Sequence, residues 1–253
     1  MQTTARIPLP RIMEKLNAYM DRRDYEGAGR LLTYWLSEAR LSGDRQGELS
    51  LLNELIGHCR KSGLRKEAFT YIDDALSLLS ALSLEDSPSG GTTYINAATA
   101  LSAFGENEKA LSLFEKALVI YEKDPAISPD LMSGLYNNMA LAFQNLGQYP
   151  QAMDLYQKAM TLLEGLPGSA PEQAITCLNM ADAIALSEGM QEAETRIQEL
   201  LDHACELLQD PSIPRDGYYA FVCEKCAPGF AYHGWFAVAA ELREEARIIY
   251  ERT

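Results

Sequence analysis

The chain reads as an all-α protein, a solenoid of about six helical hairpins, on three observations. A Gly, four further residues and an Ala open a short amphipathic run at Gly63 and Ala68, Gly105 and Ala110, Gly147 and Ala152, and Gly234 and Ala239. The first three of these Ala residues are 42 and 42 positions apart, and a fixed period of roughly 20–50 residues marks stacked repeats. The Val/Ile/Thr alternation that a strand requires is absent.

The Ala that starts each second helix serves as an anchor. Ala193 fits as a further anchor although its Gly189 lies one residue too close, and Ala28 fits as the first, with Arg23 where the Gly belongs. The anchors are then 40, 42, 42, 41 and 46 residues apart. Seven residues after the anchor stands a second small residue (Ala75, Ala117, Ala159, Ala246), and twelve before it another (Ala98, Ala140, Ala181, Ala227). Small residues at these places let two helices approach closely. Four residues after the anchor comes a larger apolar residue (Leu32, Ile72, Phe114, Tyr156, Ile197), returned by that offset to the same helix face.

Each unit therefore reads helix, tight turn, helix. The third spans about 92–104 and 107–122 and the fourth about 129–146 and 149–163, with Gly105 and Gly147 ending the first helices as C-caps. Between units lie turn-rich connectors at 42–47, 85–91, 124–130, 165–172 and 210–216. Pro near the first turn makes Ser128-Pro129 and Ser169-Ala170-Pro171-Glu172 helix starts. The connectors are too short for interdomain linkers. One domain over 1–253 is expected, with units at about 9–41, 46–83, 91–123, 129–165, 171–209 and 216–253.

Composition narrows the partners. Of 253 residues, 47% are hydrophobic, enough for a continuous core, and the net charge is -14. A nucleic-acid partner would need Lys and Arg against its phosphates, and an anionic membrane surface is disfavoured likewise; the charge otherwise serves solubility. No apolar run resembles a signal peptide or approaches the roughly 20 residues of a membrane span. Five Cys form no regular framework and read as reduced, buried thiols of a cytoplasmic protein.

Residues 135–164, LYNNMALAFQNLGQYPQAMDLYQKAMTLLE, resemble a tetratricopeptide repeat, with Asn, small residue, aromatic, Gly, Tyr, Ala, aromatic and Ala in the family's order. The 42-residue period resembles the longer variant found in kinesin light chains. The resemblance extends over roughly 9–253, weakest in the first unit and partial in the last two. It implies a right-handed superhelix with a concave groove lined by first helices, binding peptides or protein surfaces.

Fourteen residues before their anchors stand Asn96, Asn138 and Asn179. Asn is a mediocre helix former, so something must offset it. The family places this position on the groove, where an amide can donate to and accept from an extended peptide; equally, these Asn can bond neighbouring helices inside the stack. The first, second and sixth units carry Glu14, Glu54 (beside Asn53) and Lys225 here. The same offset logic adds Thr99, Ser102, Asn137, Leu141, Gln144, Asn145, Asp182, Gly57, Arg60 and Lys61 as groove candidates. Arg60-Lys61 followed by Arg65-Lys66 can grip a carboxylate or phosphate, or be a solvated helix end favoured by the dipole.

Cys223 and Cys226 with His233 offer three metal ligands where a structural zinc site needs about four, and both Cys fall on apolar-face positions. Core packing without metal or other cofactor is the reading. Pro228-Gly229 should interrupt the first helix of the sixth unit, and the aromatics around it (Tyr218, Tyr219, Phe221, Phe230, Tyr232, Trp235, Phe236) either cap the core end or form a ligand or self-association surface. No GxxxxGK[ST], HExxH or GxSxG occurs. The sequence thus points to a non-enzymatic scaffold, monomer or homodimer, binding a protein or peptide in its groove. A peptide sensor lacking its own effector domain and a self-associating subunit are the alternatives.

Overall fold

The computed structural model describes residues 6–252. Twelve helices pair into six hairpins among them: α1 (Leu9–Asp21) with α2 (Tyr25–Ser42), α3 (Arg45–Lys61) with α4 (Arg65–Ala81), α5 (Pro88–Ala103) with α6 (Asn107–Lys123), α7 (Pro129–Asn145) with α8 (Tyr149–Leu163), α9 (Ala170–Glu188) with α10 (Glu194–Gln209), and α11 (Gly217–Tyr232) with α12 (Phe236–Arg252). The described residues contain no strand. The fold is an all-α helical repeat. It divides into two compact units, one ending at Pro125 and the other beginning at Ala126.

Sterics explain the hairpin turns. Gly63, Gly105, Gly147 and Gly234 all hold positive φ, between 69° and 85°, a region that costs a side chain its Cβ clearance. Arg23 adopts the same conformation at φ 55° without being Gly. Gly189, the misplaced member, sits at φ 92° and ψ 147°, which only Gly tolerates. Its α9 runs on to Glu188 and a further turn precedes α10.

Every anchor is buried: Ala28, Ala68, Ala110, Ala152 and Ala239 are wholly inaccessible and Ala193 nearly so. Ala75, Ala98, Ala117, Ala140, Ala159, Ala181, Ala227 and Ala246 are buried with them, as are Leu32, Ile72, Phe114, Tyr156 and Ile197. The small side chains bring the helices together, and the large ones fill the space that remains. Each fully buried Leu, Ile or Phe contributes about 1.5–3 kcal/mol. Within the first unit α5 packs against α3, α4 and α6; within the second α9 packs against α7, α8, α10 and α11. First helices therefore meet first helices directly in both units.

Two segments depart from the sequence reading. The 85–91 connector ends early, because α5 already starts at Pro88, capped by Ser87 Oγ accepting from the Gly90 N–H at 3.1 Å. Gly90 and Gly91 lie inside the helix for want of room. A Cβ at Gly90 would stand 2.6 Å from the Glu85 carbonyl oxygen, and one at Gly91 2.6 Å from the Tyr121 ring. The expected interruption at Pro228 is absent: α11 is continuous through it. Pro228 is exposed, so its ring points to solvent, and water can serve the carbonyl that its missing N–H leaves free.

Candidate functional site

The first-helix face of the first unit carries a cavity of about 700 Å³. Its walls are the chain entering α1 at Arg6 and Ile7, the N-terminal half of α3, and the Ser89–Asn96 stretch of α5. Asp44, the buried N-cap of α3, shapes one end. Its Oδ1 accepts from the Gly47 N–H at 3.0 Å and its Oδ2 from the Ile7 N–H at 2.9 Å. One carboxylate thus starts a helix and holds a segment 37 residues away.

Asn53 stands at the centre. Its amide nitrogen donates to the Leu49 carbonyl at 3.0 Å and to Thr93 Oγ1 at 3.1 Å, and its oxygen accepts from the Asn96 amide at 3.0 Å. Thr93 is wholly buried and donates in turn to the Ser89 carbonyl at 2.8 Å. Asn53 and Asn96 both line the cavity, so Asn96 joins α5 to α3 and also presents its amide to the opening. Along α3 the wall ends at Glu54, whose carboxyl is pushed up by desolvation and drawn back by Lys61. Beyond it Gly57 faces open space. Arg60 is half-buried, burial lowers its pKa, and it has no ion pair among the described residues; Lys61 is exposed. His58, beside them, is held towards its neutral form by burial and by Lys61, and its buried Nδ1 lacks a hydrogen-bond partner. Thr99 is half-buried further along α5, and Ser102 donates to Asn107 at 2.8 Å.

The second unit repeats the tie. The Asn137 amide donates to Thr176 Oγ1 at 2.8 Å, joining α7 to α9. Here the Asn137 oxygen is buried and unpartnered: Asn179, in the register of Asn96, does not reach it. Asn138 and Asn179 are half-buried without hydrogen bonds among the described residues. Leu141 and Asn145 are exposed. Gln144 is buried, its amide oxygen accepting from the Tyr156 phenol at 2.9 Å, so it serves the hairpin core. Asp182 binds His233 Nε2 at 2.8 Å, and that imidazole is almost completely buried. Tyr218 donates to Glu172.

Asn53, Thr93 and Thr176 escaped the 42-residue register because the tie alternates. Asn53 and Asn137 are 84 residues apart, Thr93 and Thr176 are 83, and Asn96 and Asn179 are 83. A search at twice the hairpin period would have found them. The three thiols of α9 and α11, Cys177, Cys223 and Cys226, are buried. Burial raises Cys177 and Cys223 to about 11 and Cys226 to about 12. Around them, Tyr219 and Phe230 are buried while Tyr218, Phe221, Tyr232 and Phe236 are exposed. Among the described residues no group of three His, Cys, Asp or Glu is placed to hold a metal ion.

With hairpins, buried Ala anchors and glycine turns in place, the class of protein is defined: a helical-repeat interaction scaffold. Tetratricopeptide repeat family models match residues 47–123 and 134–166. These two stretches are tetratricopeptide repeats. The fold of the chain is similar to the TPR-like repeats of a Podosopora anserina kinesin light chain, at TM-score 0.54 and 20% identity over 81% of this chain and 95% of that one. It is similar also to BtubC (BKLC) from P. vanneervenii, at 0.54 and 17% over 98% and 92%. A Rap protein complexed with competence and sporulation factor aligns at 0.61 and 14%, over 98% of this chain and 66% of that one. At these identities the likeness is one of fold. No curated protein matches the chain in sequence. No helix among the described residues is long and apolar enough to cross a membrane.

Proposed function

We propose that the protein is a non-enzymatic scaffold that binds a peptide or protein segment on the first-helix faces of its hairpins, all six acting as one domain. The observation that carries this reading is the 700 Å³ cavity between α3 and α5, whose wall sets the amides of Asn53 and Asn96 and the hydroxyls of Thr92 and Thr93 beside apolar side chains such as Ile7, Leu49 and Leu84. Amides that both donate and accept suit an extended backbone, and a cavity braced by Asn53 and Thr93 lowers the ordering cost of binding. Arg60, half-buried and unpaired among the described residues, supplies with Lys61 a station for a ligand carboxylate. Asn138, Asn179 and Leu141 offer amides and an apolar contact on the second unit. The net charge of -14 supports a partner other than nucleic acid or an anionic membrane. A cytoplasmic monomer or homodimer completes the reading.

A peptide-sensing regulator is the alternative form of this reading, prompted by the fold likeness to a Rap protein complexed with competence and sporulation factor. The test is a displayed library of random peptides panned against the purified protein. Enriched peptides should lose affinity several-fold for Asn96→Ala and for Arg60→Gln, each amide bond contributing about 0.5–1.5 kcal/mol. Peptides that bind both variants as tightly as the wild type would place the site elsewhere. An apparent mass in light scattering that rises with concentration, with no peptide enrichment, would favour self-assembly instead.

A further inference from the structure

The first unit has a second groove, on the other side of α5. Thr92 lines the amide cavity and Leu101 does not. Nine residues separate them, two and a half turns at about 3.6 residues per turn, so they lie on opposite faces of the helix. On the Leu101 side two cavities adjoin, one between α4 and α6 and the other between α6 and the stretch from Glu85 to Tyr94. One, of about 400 Å³, has Phe69, Ile72, Leu76, Leu101 and Leu113 as its apolar wall and Asp73, Lys109 and Ser112 as its polar members. The next, of about 640 Å³, has Tyr94, Val119 and Ile120 as its apolar wall, framed by Glu85, Asp86 and Glu115. Ser112 belongs to both, so they form one groove along α6 from Lys109 to Ile120. At 1.5 Å per residue that is about 16 Å, or three helical turns.

The groove is electrically lopsided. Lys109 is taken by Glu106 at 2.9 Å. Lys116 lies with its ammonium 5.4 Å from the centre of the Tyr94 ring, which leaves three carboxylates facing one cation at that end. Glu85 and Asp86, after burial, push the Tyr94 phenol up, so both carboxylates bear on the cavity. Val119 is half exposed in the same cavity as these carboxylates. Leu113 and Val119–Ile120 are two turns apart on α6. A helix laid alongside offers apolar side chains at that spacing, with residues at i, i+4 and i+7 on one face.

We propose that this groove is a docking site, separate from the amide cavity, for an amphipathic helix of about three turns whose apolar face lies along α6 and whose Lys or Arg residues meet Glu85, Asp86 and Glu115. Apolar burial supplies the affinity, and the carboxylates select a basic partner and set its direction.

The probe is a fluorescein-labelled 14-residue helix of alternating Leu and Lys blocks, titrated by anisotropy. Glu115→Lys with Asp86→Lys should weaken it on the order of tenfold. Asp21→Lys with Glu14→Lys, exposed carboxylates of α1 with the same change in net charge, should leave it within about twofold. Val119→Asp should also weaken it, although it adds a negative charge. Asn96→Ala should not affect it, which separates this site from the amide cavity. Equal losses from the two charge-reversal pairs, or tighter binding by Val119→Asp, would mean diffuse attraction to an acidic protein and overturn the proposal. All of these positions except Asn96 are exposed, so folding is not at stake.

Discussion

Replacing Asn53 by Ala tests whether the amide tie holds the first helices together. The substitution removes the bond to Thr93 at 3.1 Å and that from Asn96 at 3.0 Å, both between α3 and α5. No buried group is stranded: Thr93 keeps its bond to Ser89, and Asn96 is half-buried and can turn to water. With the bond to the Leu49 carbonyl inside α3, the loss is three net hydrogen bonds, about 1.5–4.5 kcal/mol. Asn137→Ala should behave differently. It removes one bond, to Thr176, and with it a buried acceptor that has no partner. An unmet buried acceptor costs about 1–3 kcal/mol, so deleting it offsets the lost bond and the net change should be near zero. Asn138→Ala, with no bond to lose, should stay within about 0.5 kcal/mol. Urea unfolding reads all three as shifts of midpoint at constant slope. If Asn137→Ala costs as much as Asn53→Ala, Asn179 closes the second tie in solution and the reasoning fails. A large loss from Asn138→Ala would remove that residue from the ligand surface.

Arg23→Gly should stabilise the protein by about 0.5–1 kcal/mol: the left-handed conformation costs a side chain about 1–2, and the looser unfolded chain returns about 0.4–1. A lower melting temperature would mean that the arginine side chain outweighs its backbone. Gly134→Ala and Gly91→Ala should have opposite signs. Gly134 is exposed in α7 with nothing near a new Cβ and should gain about 0.5–1 kcal/mol, whereas the Tyr121 ring opposes Gly91→Ala, with a loss of about 1 kcal/mol; like signs in thermal melts would contradict the packing. Alkali should destabilise the fold through its thiols. Burial raises Cys59, Cys177 and Cys223 from 9.0 to about 11 and Cys226 to about 12. The unfolded chain therefore sheds these protons first, and stability present below pH 9 is lost as pH rises towards 11 and 12. Melting temperature against pH should show that fall, and Cys226→Ala should flatten it; an identical profile for the variant would assign the fall to other groups.

The sequence by itself determined the hairpins, because their causes are local. A turn between antiparallel helices needs a left-handed residue, so Gly63, Gly105, Gly147 and Gly234 announce it. Close helix packing needs a small side chain at a fixed phase, so Ala68, Ala110 and Ala152 keep a 42-residue step. The same locality explains the misreadings: Gly90 and Gly91 look like a turn because the backbone and ring that crowd them come from Glu85 and from Tyr121, a helix away. Tertiary structure alone decided the partners of the polar side chains. Asn53 meets Thr93 and Asn96 across 40 and 43 residues, and Asp182 meets a buried His233 across 51. Gln144 turned inward to Tyr156, although its offset predicted a groove position. A helix period states which residues share a face; which face meets which neighbour, and whether an amide there finds a bond, depends on how hairpins stack. That is why Asn96, Asn138 and Asn179, identical in register, have different surroundings, and why the groove beside α6 carries no sequence signature.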